Sequence, residues 1–128
     1  MYSPIEYLDP GIFLVRYDDP MTLDEAAEVA ETFQKMCDEL GLNQYVTVSD
    51  FSDCKRIPSD VTNLRKLVTQ DKRMISSVII KAPLFAQIMG RMLSRITPMD
   101  IINADSLEEG QTIAQRILAN EHIQTNLK

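Results

Sequence analysis

The chain has 128 residues, a net charge of −6 and 45% hydrophobic residues. That length suits one domain, and that apolar fraction fills a core without disulfide staples. The acidic balance argues against a nucleic-acid binder, because phosphate contacts need a surplus of Lys and Arg, and no apolar run approaches the roughly 18 residues of a membrane span.

Residues 4–8 and 12–17 are short apolar runs separated by Asp9-Pro10-Gly11, a strong turn signal. They predict an antiparallel hairpin with Ile12-Phe13-Leu14-Val15 as the more buried strand. Thr22-Leu23-Asp24-Glu25 is a capping box that opens the first helix. Leu23, Ala26, Ala27, Ala30, Phe33, Cys37 and Leu40 follow at helical spacing, and Gly41 is the expected stop. Cys37 on that stripe reads as a buried small hydrophobe. Asp24, Glu28, Glu31, Asp38 and Glu39 make the opposite face acidic.

Tyr45-Val-Thr-Val-Ser49 alternates and is β-branched, so it reads as a strand, with Asp50-Phe51-Ser52-Asp53 as its exit loop. A second helix follows Ile57-Pro58, capped by Ser59 or Asp60. Val61, Leu64, Leu67 and Val68 form its apolar stripe. Six of the 13 basic residues, Lys55, Arg56, Arg65, Lys66, Lys72 and Arg73, fall between 55 and 73. Acidic first helix and basic second segment make the chain electrically lopsided, which suits self-association or a charged partner.

Val78-Ile79-Ile80 within Met74–Lys81 predicts a buried strand. Pro83 stands at the start of a third helix, whose apolar face (Leu84, Phe85, Ile88, Met89, Met92, Leu93, Ile96) is broader than one stripe needs. Gly90 inside it implies close approach of another element. Met99–Ala104 is a last strand, and Ser106 with Glu109 opens a last helix with Ile113, Ala114, Ile117 and Leu118 inward. From Asn120 the chain turns polar and is expected to fray as a tail over 120–128. Regular strand–helix alternation predicts one α/β domain, a mixed and mostly parallel sheet of about five strands with four helices, its core spanning about 12–118.

Site chemistry is sparse. His122, in the tail, is the single histidine, and Gly11, Gly41, Gly90 and Gly110 each stand alone, so no glycine-rich loop could cradle phosphate. Two cysteines, Cys37 and Cys54, make neither a disulfide framework nor a metal cluster. No cofactor and no metal site is expected. Asp50 and Asp53 could meet a cation through oxygen, but turn capping explains them better. With no base placed near a nucleophile, an enzyme is not expected. The N-terminus shows no basic-then-apolar signal, which points to a soluble, cytoplasmic protein.

The order of elements, with Asp50-Phe51-Ser52 at a strand exit and Asp105-Ser106-Leu107-Glu108-Glu109 at the last helix start, resembles the STAS family over about residues 12–118. These are the anti-sigma-factor antagonists and the related cytoplasmic domains of sulphate transporters, with a SpoIIAA-like fold. The family pattern is Asp-Leu-Ser, a short gap, then Asp-Ser-Ser-Gly opening the second helix, whose last Ser is phosphorylated by a partner kinase. Asp50-Phe51-Ser52 looks like the first part. Pro58 stands at the family's Asp, Ser59 at its first Ser, Asp60 at its phosphorylated Ser, and Val61 at its Gly. The resemblance implies a regulatory protein–protein interaction module. Asp50, Ser52, Asp53, Ser59, Asp60, Arg65 and Lys66 would then face a protein partner, with Ser59 a candidate for phosphorylation and a homodimer conceivable. Looser relatives without the switch serine imply the alternative, a small apolar-ligand or lipid-binding protein. Phe85, Met89 and Met92 of the broad third helix would line its cavity.

Overall fold

The structure is a computed structural model that describes the backbone of residues 1–127 and the side chains of residues 1–120. The elements run β1 (Glu6–Leu8), β2 (Ile12–Asp18), α1 (Leu23–Leu40), β3 (Tyr45–Asp53), α2 (Val61–Thr69), β4 (Met74–Ile80), α3 (Leu84–Ile96), β5 (Asp100–Ala104) and α4 (Leu107–Leu127). Five strands form one sheet in the order β1-β2-β3-β4-β5. Only β1 runs antiparallel to its neighbour; β2 to β5 are parallel. The predicted α/β domain is therefore observed.

From β2 to β5 the chain always steps the same way across the sheet. Right-handed crossovers taken in one direction put every connecting helix on the same face. Accordingly α1, α2 and α3 share one side, where Phe13, Phe33, Tyr45 and Ile79 are buried. Phe13 stacks on Phe33 and meets Tyr45 edge-on, at ring separations of 5.5 and 5.2 Å. The other side belongs to α4, whose Ala114 and Leu118 pack on Ile12, Val46, Val48, Val78 and Ile80. Period-two alternation along β3 separates the two sets.

The caps follow the sequence where side chains compete for orphan backbone groups. Thr22 Oγ1 accepts from the Glu25 backbone N–H at 3.1 Å, and the Glu25 carboxylate accepts from the Thr22 N–H at 3.2 Å. Gly41 closes α1 in the left-handed region, at φ 66°. Along α1 the buried residues are Val29, Phe33 and Cys37, whereas Ala27 and Leu40 of the expected stripe face solvent. The last helix continues to Leu127, past the expected fray point at Asn120. No Gly or Pro follows Asn120 to stop it. The His122 side chain lies outside the described residues.

Two glycines mark close helix–sheet approach. A Cβ at Gly90 would sit 3.0 Å from Ile101 Cγ2, as the sequence implied. A Cβ at Gly110 would sit 3.0 Å from Ile80 Cδ1 and 3.1 Å from its Cγ1. Gly110→Leu is expected to overpack this contact and destabilise the fold by about 1–3 kcal/mol, measured by urea unfolding. Wild-type stability in that variant would show that α4 does not press on the sheet there.

Candidate functional site

The expected partner surface is distributed over two faces. The predicted exit loop 50–53 is instead the end of β3, since Asp50 pairs with Arg16 and Ile80, and Asp53 with Asp18. Phe51, buried there, stacks on Tyr17 at 5.4 Å, and this apolar anchor extends the strand through acidic residues. Asp50 Oδ1 accepts from both the backbone N–H and the hydroxyl of Ser52. Asp50 lies on the α4 side, in a depression shared with Arg16, Glu6 and Leu107. Asp53 stands 4.0 Å from the Arg16 guanidinium.

Asp60, Arg65 and Lys66 belong to α2, on the opposite face. Asp60, not Ser59, is the N-cap: its Oδ1 accepts from the Asn63 N–H at 3.1 Å, and Asn63 Nδ2 donates to its Oδ2 at 2.6 Å. Those bonds, the backbone one foremost, hold the Asp60 carboxyl below the ordinary carboxylate range. Ser59 is exposed one residue earlier. The basic segment is partly neutralised within the fold. The Asp19 carboxylate takes the backbone N–H groups of Lys55 and Arg56 and the Arg56 guanidinium. Arg73 bridges Asp71 and Asp38. Lys55, Arg65, Lys66 and Lys72 remain exposed without an ion pair among the described residues.

The structure also holds a cavity of about 160 Å³ between the sheet and its three crossover helices. Ala26, Ala30 and Phe33 of α1, Leu64, Leu67 and Val68 of α2, and Ala86, Met89 and Leu93 of α3 form its walls. Its floor is the inward register of the central strands: Tyr45, Thr47, Ser49 and Phe51 of β3, Ser77 and Ile79 of β4, and Ile101 of β5. The floor carries hydroxyls, and Gln34, Gln70 and Asp71 add polar groups to a lining that is otherwise apolar. Thr47 Oγ1 and Ser77 Oγ share a hydrogen bond at 3.0 Å, and Thr47 Oγ1 also lies 3.7 Å from Met74 Sδ.

At one end stands the lining's single carboxylate, Asp71. Arg73 donates to it from Nε and from its terminal nitrogen, each at 3.0 Å, and the Tyr45 hydroxyl donates at 3.0 Å. Burial pushes the Asp71 carboxyl up, but the Arg73 and Tyr45 hydrogen bonds outweigh it and leave it below the ordinary range. Burial also raises Tyr45 strongly, so its hydroxyl stays a neutral donor. Arg73 reaches on to Asp38 at 2.6 Å and so ties α1 to the turn before β4.

Of the expected cavity residues, Met89 lines the space, but Phe85 and Met92 do not; they point outward and are 47% and 41% exposed. Sequence reasoning missed Thr47, Ser77 and Asp71. For Thr47 a signal was present, since Thr47 and Ser49 stand two apart in the alternating run Tyr45–Ser49; Ser77, next to Ser76, carried no such period.

In sequence, no family model and no curated protein matches the chain. In three dimensions it is similar to the crystal structure of an uncharacterised DUF3478-family protein with a SpoIIAA-like fold from Shewanella loihica PV-4. The TM-score is 0.65 over 88% of this chain and 93% of that one. The chain has a STAS/SpoIIAA-like fold. At 11% identity that likeness establishes the SpoIIAA-like architecture alone, and function must be argued from this chain's own residues. Among the described residues of this SpoIIAA-like domain, no group of three or more His, Cys, Asp or Glu could hold a metal ion. Likewise, no helix is long and apolar enough to cross a membrane.

Asp71→Ala is expected to destabilise the domain by about 2 kcal/mol at neutral pH, because Tyr45 and Arg73 lose a buried acceptor. Asp71 titrates lower in the folded than in the unfolded chain. Its contribution is therefore complete above about pH 4 and is lost as pH falls through the lower folded value. Urea unfolding across this range should show the gap between wild type and variant closing on acidification. A pH-independent gap would rule out the charged carboxylate as its source.

Proposed function

We propose that the protein is a non-catalytic binding domain that takes one small, mostly apolar molecule in the cavity beneath α1, α2 and α3. The carrying observation is the cavity itself: about 160 Å³ with mostly apolar walls, a few hydroxyls on its floor and Gln34, Gln70 and Asp71 at its margins. Engineered apolar cavities of about 150 Å³ in other proteins hold benzene-sized guests. Binding pockets typically combine such walls with a few polar groups that orient the guest. A single ring or short branched chain suits this space, its one polar end meeting Ser77 or Ser49. The non-catalytic reading draws on the lining, whose only carboxylate is already engaged by Arg73 and Tyr45.

Toluene and p-cresol are suitable probes, followed by amide NMR shifts and thermal unfolding. At a hundred times its dissociation constant a bound probe adds about 2.7 kcal/mol of stability. Ser77→Leu should fill the floor and abolish that gain. Thr47→Val, close in shape, should keep binding but lose the preference for p-cresol. Absence of any probe-induced shift, or undiminished binding by Ser77→Leu, would remove the proposal.

A second reading, a cytoplasmic regulatory module, is supported by the exposed Lys55, Arg65, Lys66 and Lys72 and by Ser59 beside the α2 cap. Joint reversal of Arg65 and Lys66 to Glu should then release an acidic partner docked on the exposed basic residues of α2. A partner retained by that variant would count heavily against the module.

A further inference from the structure

Helix α3 has two apolar faces, and the cavity uses only one. Ala86, Met89, Gly90 and Leu93 are buried against the sheet side. Leu84 is 68% exposed, and Phe85, Ile88, Met92 and Ile96 are 41–47% exposed on the opposite side. Singly exposed apolar residues need no explanation, but five on one helix face form a contiguous patch of the kind that marks an interaction site.

The charges around this patch say what covers it. Helix α3 contains Arg91 and Arg95 and no Asp or Glu, in a chain of net charge −6. Both arginines are exposed, and neither has an ion-pair partner among the described residues. We infer that the outer face of α3 docks an acidic amphipathic helix of another protein, which sets apolar side chains on Ile88 and Met92 and carboxylates on Arg91 and Arg95.

Two other occupants fit less well. Among the described residues, a second copy of this chain offers no broad surface that is both apolar and acidic: α4 exposes Leu107 alone beside Glu108 and Glu109. Its α1 is acidic, but of the apolar residues named along it only Ala27 and Leu40 face solvent, while its α3 is apolar and basic. An anionic membrane would bring a broad charged plane near the whole helical layer. Asp24, Glu28, Glu31, Asp38 and Glu39 of α1 are exposed on that same side of the sheet. Within a Debye length of about 8–10 Å their repulsion opposes a plane far more than it opposes one narrow helix. Helix-on-helix docking through anchors one turn apart is a recurrent recognition mode.

The inference is independent of the ligand proposal, because the residues that dock are not those that line the cavity. The probe is a synthetic helical peptide of about 18 residues, long enough to lie along α3, with Leu at helical spacing and Glu flanking it. A control carries Lys for Glu. Fluorescence anisotropy of the labelled acidic peptide should report binding that weakens at high salt. Ile88→Gln with Met92→Gln, and separately Arg91→Glu with Arg95→Glu, should each weaken it about tenfold or more, equivalent to about 1.4 kcal/mol. These side chains are exposed, so circular dichroism should show both variants folded, and Ser77→Leu should bind the peptide like wild type. The inference is overturned if the Lys peptide binds as well as the Glu peptide, or if neither double variant weakens binding. It is equally overturned if the face instead mediates self-association in light scattering, or binding to phosphatidylglycerol vesicles that those variants abolish.

Discussion

Four parallel strands laid down in one direction constrain the rest of this molecule. Because β2, β3, β4 and β5 follow one another in space as in sequence, their three crossovers must share a face. One side of the sheet then carries three helices and the other side one. The crowded side has to fit three helix surfaces of different breadth onto one twisted floor. Small residues (Ala26, Ala30, Ala86, Gly90) bring α1 and α3 near the sheet, and the gap left between them is the cavity. At the outer end of the row, α3 covers β4 and β5 with no helix beyond it, which leaves its second apolar face bare.

The same constraint moves the site. In doubly wound sheets the ligand crevice opens where strand order reverses, beyond the carboxyl ends of the strands. Here the parallel strands never reverse, so that crevice does not form at the junction of β3 and α2. The carboxyl end of β3 is closed by local contacts instead: Ser52 on Asp50, Arg16 near Asp53, and Asp19 on the chain at Lys55 and Arg56. Available space lies between layers, floored by β3 and β4. The network of Tyr45, Asp71, Arg73 and Asp38 secures one end of that space by joining the first residue of β3, the turn before β4 and the last turn of α1.

The order of elements and most of their boundaries were legible because local signals agreed with tertiary ones. Thr22 with Glu25, Gly41 and the alternation from Tyr45 to Ser49 each name a local geometry that packing then kept. Legibility failed where a distant partner decided. Asp50–Asp53 reads as a loop by composition, yet Phe51 finds Tyr17 and the flanking strands supply backbone partners. Ser59 and Asp60 are both good caps, and only the path of the chain after Pro58 selects Asp60. The breadth of α3 was visible in sequence, but which side met the sheet was not. That side is set by Gly90, whose missing Cβ admits Ile101, and it turns Met89 inward and Phe85 and Met92 outward.

The most direct measurement is a crystal structure of the protein under xenon pressure, since xenon enters dry apolar cavities and leaves packed cores empty. The account predicts xenon density between Met89 and Leu93 of α3 and the β3–β4 floor at Thr47 and Ser77. Solid packing at that position, with side chains of α1 and α3 closed onto the sheet, would contradict it and withdraw the cavity as the protein's binding site.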